Sequence, residues 1–252
     1  MRTAAENEYI KDGLIYCKVC NTPKQMRIKN FIVEPGCECV QKVIKAKREQ
    51  ERKNIIANNH RLCYSELGSE NLERYRRVLK NLEPNKYTDI AEGYVDHFEE
   101  YEAKGIGLLL VGGVGTGKST IASAIANELL LKGLTVKFTN FAHIMDTWES
   151  KLNNTAKLNY LSSLNRYRLL VIDDYGIERK SSVMNELVYK VVNGRYEAKR
   201  PMLITTNKDL QGASTEEQRV HDRIMAMSHV VVMNGKSRRT EEAKQMQLLF
   251  QN

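Results

Sequence analysis

The chain has 252 residues, enough for one large domain and a small appended module. Its 39 Lys and Arg residues against 31 Asp and Glu residues give a formal net charge of +8, a moderate excess that favours acidic partners such as nucleic acid. The sequence shows no apolar run of signal-peptide or membrane-spanning length, and its five cysteines do not suggest a disulfide framework. We therefore expect a cytoplasmic protein with no membrane partner.

Four of the cysteines cluster near the N-terminus. Cys17 and Cys20 are separated by two residues, and Cys37 and Cys39 by one, within a segment that proline and glycine make irregular. Clustered thiolates in a reducing compartment are typical ligands of a tetrahedral zinc ion, so we predict a zinc site. A redox-active Cys17–Cys20 pair is the alternative. The fifth cysteine, Cys63, is expected to be a buried or partly buried free thiol.

The next stretch, "VQKVIKAKREQERKNIIANN" (residues 40–59), contains no glycine or proline and is rich in helix formers. It predicts a helix with a basic surface, because six of its residues carry positive charge: Lys42, Lys45, Lys47, Arg48, Arg52 and Lys53. This surface either contacts an acidic partner or is simply solvated.

From about residue 88, helical stretches alternate with short apolar runs. The predicted helices cover residues 88–105, 118–131, 141–165, 182–198 and 215–226. The predicted strands cover residues 106–111, 134–139, 167–173, 201–206 and 229–233. This alternation indicates an α/β fold in which helices flank both faces of a central parallel sheet.

The run "GGVGTGKST" has the phosphate-binding loop pattern and lies between a predicted strand and a predicted helix. Backbone N–H groups of such a loop, together with the N-terminus of the following helix, bind phosphates. Lys118 is expected to contact the β- and γ-phosphates, and Ser119 to bind Mg²⁺. The predicted nucleotide contacts are Gly112, Gly113, Val114, Gly115, Thr116, Gly117, Lys118, Ser119 and Thr120.

Polar side chains end two later strands. In "LLVIDDYG", Asp173 is the expected Mg²⁺ residue and Asp174 the expected base that positions the attacking water. Asp174 is one methylene shorter than a glutamate, so slow hydrolysis is expected. Asn207 closes "LITTN" and is expected to hold that water, the alternative being a turn-forming asparagine.

Two pairs of arginines follow. Arg219 and Arg223 are four residues apart on one face of the helix predicted at 215–226. Arg223, with Arg219 in reserve, is the candidate arginine finger for a neighbouring subunit, against the alternative of a solvated helix face. Arg239, or its neighbour Arg238, is a candidate γ-phosphate contact, and few residues follow it.

Together these motifs resemble the AAA+ ATPases of the DnaC/DnaI helicase-loader and IstB transposition-helper group. The matching runs are "GGVGTGKST" (Walker A), "LLVIDDYG" (Walker B), "PMLITTN" (sensor 1), "QRVHDRI" (arginine-finger helix) and "GKSRR" (sensor 2). The resemblance implies ATP as the nucleotide, Arg223 as the finger and Arg239 as sensor 2. It also implies that a helical element after the second strand, here residues 141–167, helps to hold single-stranded DNA.

Within this group, an N-terminal zinc module resembles the DnaI-type loaders, in which such a module docks on the helicase. We therefore expect a zinc-binding and helical docking module at residues 1–62, a helical connection at 63–87 and an AAA+ ATPase domain without a full lid at 88–252. The implied partners are a hexameric DnaB-type helicase, single-stranded DNA and, in the ATP state, further copies of the chain on the helicase.

Three other functions stay open from the sequence. A transposition helper that binds duplex DNA and activates a transposase is the main alternative. A small-molecule kinase would share the phosphate loop but normally needs a mobile acceptor lid. A binding module that does not hydrolyse ATP would leave Asp174 and Asn207 without a role.

Overall fold

The computed structural model of the chain describes residues 4–67, 75, 77–176, 181–208 and 215–235. The chain divides into two compact units, Met1–Ile55 and Ile56–Asn252. The domain limits at residues 62 and 87 that the sequence suggests stay predictions. Within the described ranges, no helix combines the length and the apolar character needed to cross a membrane.

The first unit contains two small antiparallel hairpins. Strands β1 (Glu8–Lys11) and β2 (Leu14–Cys17) form one, and β3 (Met26–Ile28) and β4 (Phe31–Val33) form the other. The expectation of an irregular segment is wrong here, because strands of three or four residues are too short to show a periodic pattern. The basic helix is confirmed as α1 (Glu38–Cys63), which begins in this unit.

The second unit carries the alternating elements, with a 3-10 turn at Leu79–Asn81 before them. Its helices are α2 (Lys86–Asp96), α3 (Phe98–Lys104), α4 (Lys118–Leu131), α5 (Phe141–Glu149), α6 (Asn154–Leu164), α7 (Ser182–Glu197) and α8 (Thr215–Ala226). Its strands are β5 (Gly107–Gly112), β6 (Val136–Thr139), β7 (Leu169–Tyr175), β8 (Met202–Thr206) and β9 (Ser228–Met233).

These five strands form one parallel sheet in the order β6-β7-β8-β5-β9, which confirms the predicted α/β class. Successive residues of its strands enter different apolar clusters, as expected for a sheet buried on both faces. Leu108 and Leu110 belong to the cluster that includes α4, whereas Leu109 belongs to the cluster that includes α7. Helices therefore cover both faces, and the carboxyl ends of all five strands lie along one edge.

Two predicted helices are each divided in the structure. The stretch 88–105 breaks at His97, between α2 and α3. The stretch 141–165 breaks before Asn153, whose side chain accepts a hydrogen bond from the Ala156 N–H at 2.8 Å and so begins α6. A side-chain cap of this kind is a local start signal that an uninterrupted helical composition conceals.

The segment that follows α1 packs against the sheet unit. Cys63 is fully buried, as the sequence predicts, and burial raises the pKa of its thiol to about 12. The Tyr64 hydroxyl donates to Asn127 Oδ1 at 2.8 Å, and the Asn127 amide donates to the Tyr75 carbonyl at 2.6 Å. Since Asn127 belongs to α4, the segment is tied to the helix that follows the phosphate loop.

Candidate functional site

The loop between β5 and α4 has the shape needed to bind phosphates. Gly115 and Gly117 have φ values of 80° and 94°, a left-handed conformation that a side chain disfavours. Gly117 precedes α4 without a side chain to cap it, so the first N–H groups of the helix face no competing capping group. Gly112 is needed for packing, because a Cβ there would lie 2.2 Å from the Met233 carbonyl oxygen on β9.

Lys118 is the first residue of α4 and is 6% exposed. Its Nζ donates to the carbonyl oxygens of Gly112 and Gly113, at 2.8 Å each. The Thr116 hydroxyl also donates to the Gly113 carbonyl, at 2.9 Å. The predicted nucleotide contacts at residues 112–120 thus run from the end of β5 through the loop to the first turn of α4, and the lysine ammonium is bonded to the loop.

Strand order brings the other predicted residues to the same edge. β5 pairs with β8, and β8 pairs with β7, so the ends of these three strands are adjacent. Asp173 lies at the end of β7 and is 5% exposed, while Asp174 is half-buried and has a φ of 56°. Asn207 directly follows β8 and is exposed. The roles predicted for these side chains stay predictions.

Sequence reasoning missed Thr205 on β8. Its hydroxyl donates to Asp173 Oδ1 at 2.6 Å and accepts from the Asp174 N–H at 2.8 Å. The residue lies in the run "PMLITTN", but that motif points to Asn207, and only the pairing of β7 with β8 brings Thr205 beside the two aspartates.

Sequence reasoning also missed a small pocket of about 20 Å³ beside the phosphate loop. Thr116, Gly117 and Thr120 form the side shared with the loop, and Tyr87 and Met233 contribute to the rest. The Tyr87 hydroxyl donates to the Asn234 carbonyl at 3.2 Å and accepts from its N–H at 2.8 Å, which joins α2 to the end of β9. The pocket therefore lies between the phosphate loop, α2 and the end of β9.

The candidate finger residues lie on α8. The Arg223 guanidinium donates from Nε to Asn193 Oδ1 at 2.8 Å, and its Cζ lies 5.2 Å from the ring centroid of Tyr189 on α7. Its Nη1 donates to the Arg219 carbonyl at 2.9 Å, and the Arg219 side chain is exposed. In a single chain, the side chain of Arg223 therefore packs against α7. Arg238 and Arg239 lie outside the described residues.

The four N-terminal cysteines come together in the first unit. The sulfur atoms of Cys17, Cys20, Cys37 and Cys39 all lie within 4.8 Å of one another. Cys39 Sγ is 3.7 Å from Cys17 Sγ, 3.6 Å from Cys20 Sγ and 3.0 Å from Cys37 Sγ. A tetrahedral zinc ion with Zn–S bonds of about 2.3 Å separates its sulfur ligands by about 3.8 Å, so the cluster fits zinc.

Hydrogen bonds divide the thiols of this cluster into easily and poorly ionised groups. The hydroxyl of Thr22, 3.0 Å from Cys20 Sγ, is the main cause that lowers the pKa of Cys20 to about 5. Hydrogen bonds with Cys37 and Cys20 raise the pKa of Cys39 to about 12. Four thiolates this close repel one another, so full ionisation requires a cation. The cluster can hold a metal ion.

The parallel sheet, the glycine-rich loop and the carboxylates beside it define a P-loop nucleotide-binding protein. The sequence model of the family described as IstB-like ATP binding protein matches residues 68–246. This match spans more than half of the chain, which therefore belongs to the IstB-like ATP-binding protein family.

Known relatives agree with this placement. The replicative helicase loader DnaC of Escherichia coli (strain K12) is 32% identical over 148 residues, which are 57% of this chain and 60% of the relative. The crystal structure of a DnaC helicase loader superposes with a TM-score of 0.51 at 27% identity, covering 64% of this chain and 99% of the other. That of DnaI gives 0.53 at 23% identity, covering 66% and 92%. The AAA+ fold predicted from the sequence is confirmed.

Proposed function

We propose that the chain is an ATP-dependent DNA replication protein that loads a hexameric DnaB-type helicase onto single-stranded DNA in the cytoplasm. The observation that carries the proposal is the combination of two units in one chain. The second unit carries the match to the IstB-like family at residues 68–246, the chain is 32% identical to a DnaC loader over 148 residues, and the first unit holds a four-cysteine cluster. A loader requires both a nucleotide-controlled assembly domain and a separate module that grips the helicase.

In the proposed reaction the loop at residues 112–120 binds the phosphates of ATP. Lys118 leaves the carbonyl groups of the loop and contacts the β- and γ-phosphates. Ser119 and Asp173 would hold Mg²⁺, whose charge offsets that of the phosphate oxygens. Asp174 and Asn207 orient a water molecule that bonds to the γ-phosphorus as the bond to ADP breaks, and Asp174 accepts the proton of that water.

Hydrolysis is proposed to depend on assembly. Arg223 leaves its contacts with Asn193 and Tyr189 and reaches the γ-phosphate bound by a neighbouring subunit, where its charge stabilises the transition state. Arg239 adds a contact from the bound chain itself. ATP therefore turns over only when subunits lie side by side on the helicase, which links hydrolysis to release.

The first unit is proposed to dock on the helicase. Zinc, when bound to Cys17, Cys20, Cys37 and Cys39, cross-links the end of β2 to the start of α1. The basic residues of α1 then face acidic groups of the partner. Helices α5 and α6, with Lys151, Lys157 and nearby Arg166, are proposed to contact single-stranded DNA.

A transposition helper that binds duplex DNA and activates a transposase is the second candidate. The observation that favours it is the family description itself, IstB-like ATP binding protein, which covers residues 68–246. The nucleotide site serves either function equally well. The two candidates differ in the partner protein and in the form of DNA that they bind.

Size-exclusion chromatography with light scattering tests the proposal. The chain is mixed with the replicative helicase of its host and ATP, and is compared with a Cys20→Ser/Cys37→Ser variant and with Lys118→Ala. We expect a large complex for the intact chain and its loss in the cysteine variant, with circular dichroism as the check that the ATPase unit stays folded. No complex for the intact chain would contradict the loader proposal and lead next to duplex DNA.

A further inference from the structure

The pairing of β7 with β8 is irregular at the two aspartates. Ile172 pairs with Ile204 and Tyr175 pairs with Thr206, so two residues on β7 face the single residue Thr205 on β8. This is a β-bulge, a device that changes the direction of a side chain and frequently lies beside an active site. Without it, adjacent residues of a strand point to opposite faces of the sheet.

One hydroxyl group bridges the bulge. Thr205 is fully buried, and its Oγ1 donates to Asp173 Oδ1 at 2.6 Å while accepting from the Asp174 N–H at 2.8 Å. A hydroxyl can donate only one hydrogen bond, and the Thr205 hydroxyl donates it to the carboxylate of Asp173. The hydrogen bond to a charged acceptor is short, which is typical of the stronger class.

The Thr205 hydroxyl links the orientation of the Asp173 carboxylate to the backbone conformation of Asp174. The bond to Asp173 fixes the orientation of its carboxylate, and the bond to the Asp174 N–H favours the backbone conformation with a φ of 56°. That left-handed conformation is uncommon for a residue with a side chain and needs local support. Both aspartates therefore depend on the same oxygen atom.

We propose that Thr205 is a positioning residue of the nucleotide site, which presents Asp173 to Mg²⁺ and Asp174 to the attacking water as one unit. The inference rests on the proposed ATPase function and adds to it a residue that touches neither the nucleotide nor the metal. Groups that orient a metal ligand in this way affect metal affinity or activity by about 10- to 100-fold when they are removed.

The neighbouring Thr206 provides a matched control. It is also fully buried on β8, and its hydroxyl likewise donates and accepts one hydrogen bond each. Its partners are the Tyr175 carbonyl at 2.7 Å and the Lys208 N–H at 3.1 Å, and neither bond involves an aspartate. Replacing either threonine with valine removes a buried hydroxyl at almost constant volume, so the two variants lose comparable packing and hydrogen bonds.

The experiment titrates a fluorescent ATP analogue against each protein, first in EDTA and then over a range of free Mg²⁺, with phosphate release measured in parallel. For Thr205→Val we expect unchanged affinity in EDTA and a Mg²⁺ requirement raised about tenfold, as for a lost ligand-orienting group. Thr205→Ser retains the hydroxyl and should restore the wild-type requirement. Thr206→Val should keep that requirement, whatever its melting temperature.

An unchanged Mg²⁺ requirement in Thr205→Val, or an equal shift in Thr206→Val, would overturn the inference. Because nucleotide binding and phosphate release are measured separately, the role of Thr205 and the proposed ATP hydrolysis can fail independently. If the wild type binds Mg²⁺ and nucleotide but releases no phosphate in any assembly, ATP hydrolysis is refuted, and the binding titration still decides the role of Thr205.

Discussion

At the residue scale, Asp174 combines an uncommon backbone conformation with the proposed role of general base. Its φ of 56° is better tolerated by aspartate and asparagine than by longer side chains. This gives a structural reason for aspartate at a position where the sequence alone suggested only a shortened base.

Asp174→Asn should therefore keep the backbone and lose the base. We expect ATP hydrolysis to fall by about 100-fold, the usual contribution of a general base, while nucleotide affinity stays the same. Lys118→Ala should instead lose affinity, because the β- and γ-phosphates lose their ammonium contact. Nucleotide titration and phosphate release measure the two effects. Equal hydrolysis by Asp174→Asn and the wild type would assign the base elsewhere.

Some of the site could be predicted from the sequence, and some could not, for a physical reason. The phosphate loop is contiguous, so its glycines, Lys118 and the following helix are visible as one pattern. Thr205 and Tyr87 join the site only through strand pairing and through the contact with Asn234. A sequence does not state which side chains the register of a sheet will bring together.

At the scale of elements, α7 is joined to the sheet by a buried cation. The Arg195 guanidinium donates to the carbonyl oxygens of Leu164, Tyr167, Arg168 and Pro201, at the end of α6 and before β7 and β8. Burial lowers its pKa to about 9, so the group remains charged at neutral pH. One side chain thus holds three chain segments at the edge of the sheet opposite the nucleotide site.

Arg195→Met should lower the free energy of unfolding by at least about 3 kcal/mol, because several carbonyl groups lose their donor at once. Arg200→Met is the matched control. Its side chain is 40% exposed and pairs with Glu102, so we expect a loss below about 1 kcal/mol. Urea unfolding followed by circular dichroism measures both values. A similar loss of unfolding free energy in the two variants would mean that the buried Arg195 stabilises the fold no more than the exposed Arg200 does.

The proposed zinc site also belongs to this scale, because its cysteines lie at the end of β2 and at the start of α1. We expect the purified chain to carry one zinc ion, and Cys20→Ser/Cys37→Ser to carry none, since two ligands are too few for a structural site. Cys63→Ala is the control, because Cys63 is buried outside the cluster. Elemental analysis counts the metal, and zinc retained by the double variant would contradict the assignment.

Element boundaries were predictable where the chemistry is local. Helix α4 begins at Lys118 and ends at Leu131, as expected from the sequence, because the glycine-rich loop and Gly133 limit it. The hairpins of the first unit escaped prediction because their strands are too short for a periodic pattern. A local signal was present for the first hairpin, since Asp12 and Gly13 both have positive φ and form a typical two-residue hairpin turn.

At the scale of the whole molecule, the proposed function requires subunits to share active sites. Arg223→Ala alone should bind ATP but hydrolyse it slowly on the helicase, and Lys118→Ala alone should fail to bind it. Mixing the two should restore part of the hydrolysis, because a Lys118→Ala subunit still offers Arg223 to a neighbour that binds ATP. Arg219→Ala in place of Arg223→Ala is the control, expected to hydrolyse ATP without a partner variant. No recovery in the mixture would place Arg223 outside the shared site.

The most direct test of the central claim is helicase loading on closed circular single-stranded DNA, which a closed ring cannot thread. The helicase of the host is incubated with the circle, ATP and this chain, and helicase that stays on the DNA after a wash in high salt is counted. We expect retention that requires the intact chain and is lost with Lys118→Ala. Retention that is the same without the chain, or no retention with it, would contradict the assignment as a helicase loader.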